Sequence, residues 1–185
     1  VKLFVKLFGF SETGPKLMQA LLQAGALVLM FYTVRKIFGA LAAVVSVTVA
    51  SIYLSAPVIA KFGNVKEQYM IAFMVAAACC FILHQSNGKW WLAVLAGAAA
   101  INTCYFKPTG VSVIIAIAVF TIAQPMLKHR TWRRCLVDFG LLMAGTMLGL
   151  CPLGFFYLWQ GQFAAFFNTF PFFTIRIAGP LMAII

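Results

Sequence analysis

The chain has 185 residues, of which 64% are hydrophobic and 9% charged; 14 Lys and Arg stand against 3 Asp and Glu, for a formal net charge of +11. A soluble domain carries about 25% charged and about 45–50% apolar residues, and a body of this size has too little interior to hide the difference. Soluble, disordered and disulfide-stapled classes are excluded, and the composition is that of a polytopic membrane protein.

Val1–Gly14 reads as an amphipathic segment lying in the headgroup plane. Lys2 and Lys6 are four apart and share a helix face, among Val1, Leu3, Phe4, Val5, Leu7 and Phe8. Glu12 lies in the turn that follows. The plain alternative for this head is a simple membrane anchor. A spanning helix needs about 20 mostly apolar residues. Lipid offers backbone groups no outside partner, so spans of this composition are helical. The charges delimit spans over Leu17–Val34, Phe38–Ala60, Gln68–Leu83, Trp90–Phe106, Pro108–Leu127 and Leu136–Trp159. Gln160–Thr174, rich in aromatics and holding Pro171, reads as interfacial or re-entrant. Arg176–Ile185 reads as the start of a further span. The period-2 alternation of barrel strands is missing. Small residues at Ala76–Ala78 and Gly97–Ala100 suit close helix contacts in lipid. The expected fold class is all-α: a polytopic transmembrane helical bundle of six to seven spans, forming one domain over residues 1–185. The chain opens on Val1 and stops at Ile185 within an apolar run, and is expected to be a piece of a longer protein.

The basic excess does not point to nucleic acid. Its charges sit singly or in short runs between apolar stretches, as topology signals do, and no solvated basic face is available for phosphates. Arg35, Lys36, Lys89, Lys128, Arg130, Arg133 and Arg134 fall on one side of the alternating spans. Lys2, Lys6, Lys16, Lys61, Lys66, Lys107 and Arg176 fall on the other, so the simple count ties. The dense Lys128–Arg134 run decides, and that side is expected in the cytoplasm. Glu67 and Lys107 then face outside.

Five cysteines, Cys79, Cys80, Cys104, Cys135 and Cys151, show no CxxC and no histidine at ligand spacing, and read as small buried hydrophobes. Phosphate-cradling loops and HExxH are absent as well, so no cofactor is expected. A need for a divalent metal stays open. Asn64, Lys66 and Glu67 lie where the third span starts. They suit a polar substrate, or they form a solvated loop with a glutamate at a helix N-terminus. Lys107, in Tyr105-Phe-Lys-Pro-Thr-Gly110, is held at headgroup level between two spans. Its ammonium could hold a lipid phosphate, or simply snorkel as a topology signal. Asp138, near the start of a span and four residues after Arg134, reads as half of a structural ion pair. His84 and His129 carry no constellation on spacing alone.

The order of features is itself informative. An outer segment ends in Leu7-Phe-Gly-Phe-Ser-Glu12, a span runs into Tyr32-Thr-Val-Arg-Lys-Ile-Phe-Gly39, and a short loop reads Gly63-Asn-Val-Lys-Glu67. Gly88-Lys-Trp-Trp-Leu-Ala-Val-Leu-Ala-Gly97 then leads to Phe106-Lys-Pro-Thr-Gly110. Over roughly residues 1–125 this resembles the GT-C superfamily of integral membrane glycosyltransferases, in its aminoarabinose-transferase and protein-mannosyltransferase branch. The resemblance implies a polyprenyl-phosphate-linked sugar donor and a lipid, protein or glycan acceptor on the non-cytoplasmic face. It also implies a bacterial cytoplasmic (inner) membrane location. It places Glu67 at the family's second acidic position and Lys107 at the lysine that helps hold the lipid phosphate, with Lys66 and Asn64 beside the substrate. The main catalytic acid and the first span would precede Val1. The competing readings are a transporter or channel subunit and a non-catalytic scaffold of a larger membrane complex.

Overall fold

A computed structural model describes residues 13–55 and 66–161. The head up to Glu12, Lys61, Asn64 and residues 162–185 lie outside the described residues. Six α-helices follow in order: α1 Thr13–Phe38, α2 Ala40–Ser55, α3 Lys66–Asn87, α4 Trp90–Phe106, α5 Val111–Met126 and α6 Trp132–Trp159. A single 3-10 turn, Pro108–Gly110, joins α4 to α5. The described residues contain no strand, and the protein is an all-α helical bundle.

Helices α1, α3 and α6, of 26, 22 and 28 residues, are long and apolar enough to cross a membrane. The other three are apolar helices of 16 or 17 residues. Several hydroxyl and amide side chains of the bundle turn back on their own helices. Thr33 donates to the Leu29 carbonyl at 2.8 Å, Asn102 to Ala98 at 2.7 Å and Thr121 to Ile117 at 2.8 Å. In lipid no other partner is at hand, so this local bonding is how a polar side chain is accommodated within a span. Apolar side chains such as Val28, Leu41, Val119 and Leu136 are exposed, as a lipid-facing surface requires.

Two helix pairs turn on glycines with positive φ, Gly39 at +90° and Gly88 at +67°. Each amide donates to the carbonyl four residues back, Arg35 and His84 respectively, closing the helix with a residue that adopts this conformation freely. Helix α4 is central, packed between α3 and α6, while α1 lies against α2 and α3. The core gathers Ala77, Cys80 and Phe81 of α3, Ala96 and Ala100 of α4, Val113 and Ile117 of α5, and Leu142 of α6.

Contact between α4 and α6 is backbone to backbone. A Cβ on Gly97 would overlap the Leu142 carbonyl, and one on Gly145 would overlap the Val94 carbonyl. One on Gly149 would meet the Ile101 side chain at 2.5 Å. Gly145→Val should therefore lower the thermal midpoint in detergent by the equivalent of about 1–3 kcal/mol or more, since neither backbone can yield. Gly140→Ala, with nothing within 4 Å of the new methyl, should be neutral or stabilising by up to about 1 kcal/mol. Equal midpoints for the two variants would remove the close-packing account.

Candidate active site at the Glu67 and Lys107 end

The turn between α4 and α5 is built to hold one lysine. Lys107 caps α4 in an extended conformation, φ −157° and ψ 137°, its N–H donating to the Thr103 carbonyl. The Gly110 amide donates to the Lys107 carbonyl at 2.9 Å, closing the 3-10 turn. Thr103 is fully buried, and its hydroxyl lies 2.6 Å from the Ala100 carbonyl and 2.8 Å from that of Gly110. A Cβ at Gly110 would fall 2.6 Å from the Thr103 carbonyl oxygen, so only glycine lets this turn seat on α4.

Helix α3 approaches the turn from the side. Tyr69 and Phe73, four apart and therefore on one face, both stack on Phe106, with ring centroids 5.3 and 5.8 Å away and planes 11° and 20° apart. The Tyr69 hydroxyl donates to the Pro15 carbonyl at 2.7 Å, tying in α1. Thr109 donates to the Met70 sulfur at 3.6 Å. At the far side of α4, the Tyr105 hydroxyl donates to the Gly149 carbonyl of α6 at 3.1 Å.

With α3 and the turn so fixed, Lys107 Nζ donates to Glu67 Oε1 at 2.8 Å. Glu67 lies in the first turn of α3, where the helix dipole favours a carboxylate. The side chains remain 44% and 37% exposed, so a ligand can reach both. An ion pair this exposed stabilises a fold by about 0–1 kcal/mol. Stability therefore does not account for the pair, and an acid and a cation held together within reach of a ligand make a candidate site. Lys66, in the same helical turn, is exposed. Gln68 is buried at 1% exposure, and its Oε1 has no hydrogen-bond partner among the described residues. Among the described residues no group of three or more His, Cys, Asp and Glu side chains could hold a metal ion.

A second polar cluster lies at the other end of α3, about 25 Å away at 1.5 Å per residue. It corrects the spacing argument for Asp138 and His84. The aspartate does not take Arg134 as its partner: Asp138 Oδ2 accepts from Arg130 Nη1 at 3.0 Å, and Oδ1 lies 3.0 Å from His84 Nε2. Arg130 also donates through Nη2 to the Gln85 carbonyl at 3.0 Å. His84 Nδ1 lies 2.9 Å from the Lys89 carbonyl. Both ring nitrogens of His84 thus lie within hydrogen-bond distance of an oxygen. The aspartate and histidine side chains are 5% exposed. Their meeting joins residues 54 apart in sequence, which no local spacing reveals.

Residues 1–153 match the family of dolichyl-phosphate-mannose-protein mannosyltransferases. The chain belongs to this family. It is a membrane glycosyltransferase of the GT-C type, as the order of its motifs implied. No curated protein and no solved structure matched the chain. The family match spans both members of the Glu67–Lys107 pair and the clasp at the opposite end.

The two clusters should separate in stability measurements. Asp138→Ala leaves Arg130 and His84 without their buried acceptor and should cost about 3–5 kcal/mol in detergent unfolding. Lys107→Met should cost under about 1 kcal/mol. A reversed order would contradict the assignment of the His84–Asp138–Arg130 cluster as the structural one.

Proposed function

We propose that the Glu67 and Lys107 end holds the headgroup of a polyprenyl-phosphate-linked sugar and that the protein transfers this sugar on the non-cytoplasmic face. The observation that carries the reading is the 2.8 Å contact between an acid and a lysine from separate helices, at one end of a bundle of this family. In such a transfer an acceptor oxygen bonds to the anomeric carbon and gives up its proton to a carboxylate. The bond from that carbon to the phosphate oxygen breaks, and its electron pair stays on the lipid phosphate. The Lys107 ammonium meets the charge that develops there, which lowers the barrier more than it tightens ground-state binding. Glu67 orients Lys107 while the donor is absent and serves as the second acid once it is bound. Lys66 and Asn64, next to Glu67 in sequence, are the candidate substrate-binding residues, and the main base is the family's first acidic position, which the resemblance does not map onto residues 1–185. The acceptor is a lipid, protein or glycan hydroxyl; the family description favours a protein.

The outward assignment rests on charge. Among the described residues, Lys16, Lys66 and Lys107 belong to the Glu67 end, while Arg35, Lys36, Lys89, Lys128, Arg130, Arg133 and Arg134 belong to the other. The more basic end faces the cytoplasm, and a bacterial inner membrane is the setting the resemblance implies. A transporter would place its polar residues near mid-depth, at broken helices. The described ion pairs here sit near helix ends instead.

Lys107→Met in proteoliposomes supplied with a polyprenyl-phosphate-linked sugar should lose about 10²–10³ in transfer rate, the loss typical of removing one group that stabilises developing charge. Lys107→Arg should recover part of it. Transfer at the wild-type rate by a correctly inserted Lys107→Met protein would rule out the role given to this lysine.

A further inference from the structure

Helices α3 and α5 leave an open apolar groove of about 330 Å³ between them. Its walls include Ala78, Phe81 and Ile82 of α3 and Ala116 and Phe120 of α5. The space exists because alanines stand where the helices face one another, while Phe81 and Phe120 meet edge to face at 5.8 Å. Gln85 lines the groove at its Lys128 end.

That end is polar and basic. Gln124 Nε2 donates to Gln85 Oε1 at 3.1 Å, and buried Gln85 Nε2 and Gln124 Oε1 have no hydrogen-bond partner among the described residues. The chain folds back on this amide pair: the His129 amide donates to the Gln124 carbonyl at 3.0 Å and the Lys128 amide to Pro125 at 3.1 Å. Arg130 reaches over to the Gln85 carbonyl. The acid near this end among the described residues, Asp138, is already taken by His84 and Arg130. Lys128 and His129 are exposed, as are Arg133 and Arg134 just beyond. Lys128 also holds φ at +58°, a conformation costly for any residue with a Cβ. A glycine would relieve that strain.

We propose that the α3–α5 groove takes one chain of an anionic phospholipid, with its phosphate held by Lys128 and His129 at the groove's end. An apolar slot leading to a basic turn whose nearest acid is already paired is complementary to such a lipid in shape and charge. The headgroup end is distinct from the Glu67–Lys107 pair, since Gln85 and Lys128 stand at the opposite ends of α3 and α5, while the apolar groove runs back along α5 to Val113.

The full chain, purified in detergent, would be titrated with phosphatidylglycerol and with phosphatidylcholine of the same chain length, and bound lipid counted by native mass spectrometry. The wild type should hold phosphatidylglycerol about fivefold or more in preference, the effect of one basic residue near an anionic headgroup. Lys128→Gly should bring the two lipids toward parity without lowering the thermal midpoint, because glycine adopts this backbone freely. Ala116→Trp should fill the groove and reduce retention of both lipids; Ala116→Leu serves if the tryptophan variant does not fold. Three results would overturn the site. They are equal retention of the two lipids by the wild type, an undiminished preference in Lys128→Gly, or undiminished retention in a folded groove-filled variant. The last would leave only a general attraction of the basic end for anionic bilayers.

Discussion

The close approach of α4 to α6 sets the geometry on which the rest of the bundle depends. Gly97, Gly145 and Gly149 bring two backbones to a separation that leaves no room for a β-carbon. In lipid, helices gain nothing from hiding oil from water, so tight packing of small residues must supply the attraction. Once α4 is seated, its last turn can deliver Lys107 at a defined height, and Tyr105 marks that height through its bond to the Gly149 carbonyl. Helix α3 then registers on α4 through the stack of Tyr69 and Phe73 on Phe106.

The two polar clusters show how the same kinds of side chain serve different ends. At one end Asp138, His84 and Arg130 are withdrawn from solvent, and the paired charges are satisfied by one another and by backbone carbonyls. Such a cluster holds helix ends in register and offers a ligand little access. At the other end Glu67 and Lys107 are as close, yet open. A pair in that position adds little to stability and stays within reach of a ligand. Burial, not distance, distinguishes the clasp from the site.

Much of this was legible in the residues. Composition and apolar run length indicate an all-α membrane bundle, because lipid admits few backbone solutions. Glu67 and Lys107 stand out as an acid and a lysine at the ends of spans on one side of the alternating topology. The small-residue run Gly97–Ala100 is a visible helix-contact signal, but the helix it meets, α6, is not written beside it. His84 and Asp138 have no local signature at all: the histidine sits at the end of one span and the aspartate inside another. Arg134, four residues before Asp138, has the spacing of a helical partner. Arg130, outside α6 on the preceding turn, wins because it can reach Asp138 and the Gln85 carbonyl together.

The sequence by itself determined the solvent, the class of fold and the family, since these follow from hydropathy, charge order and the motifs that run from the head to Gly110. Only the tertiary structure decided the pairings. Lys107 reaches Glu67, Asp138 takes His84 and Arg130, and α3 and α5 part to leave a groove. These pairings depend on which helix faces which and at what height, set by contacts between residues 40 or more positions apart, as in the Lys107–Glu67 and His84–Asp138 bonds. Local spacing carries no record of such contacts.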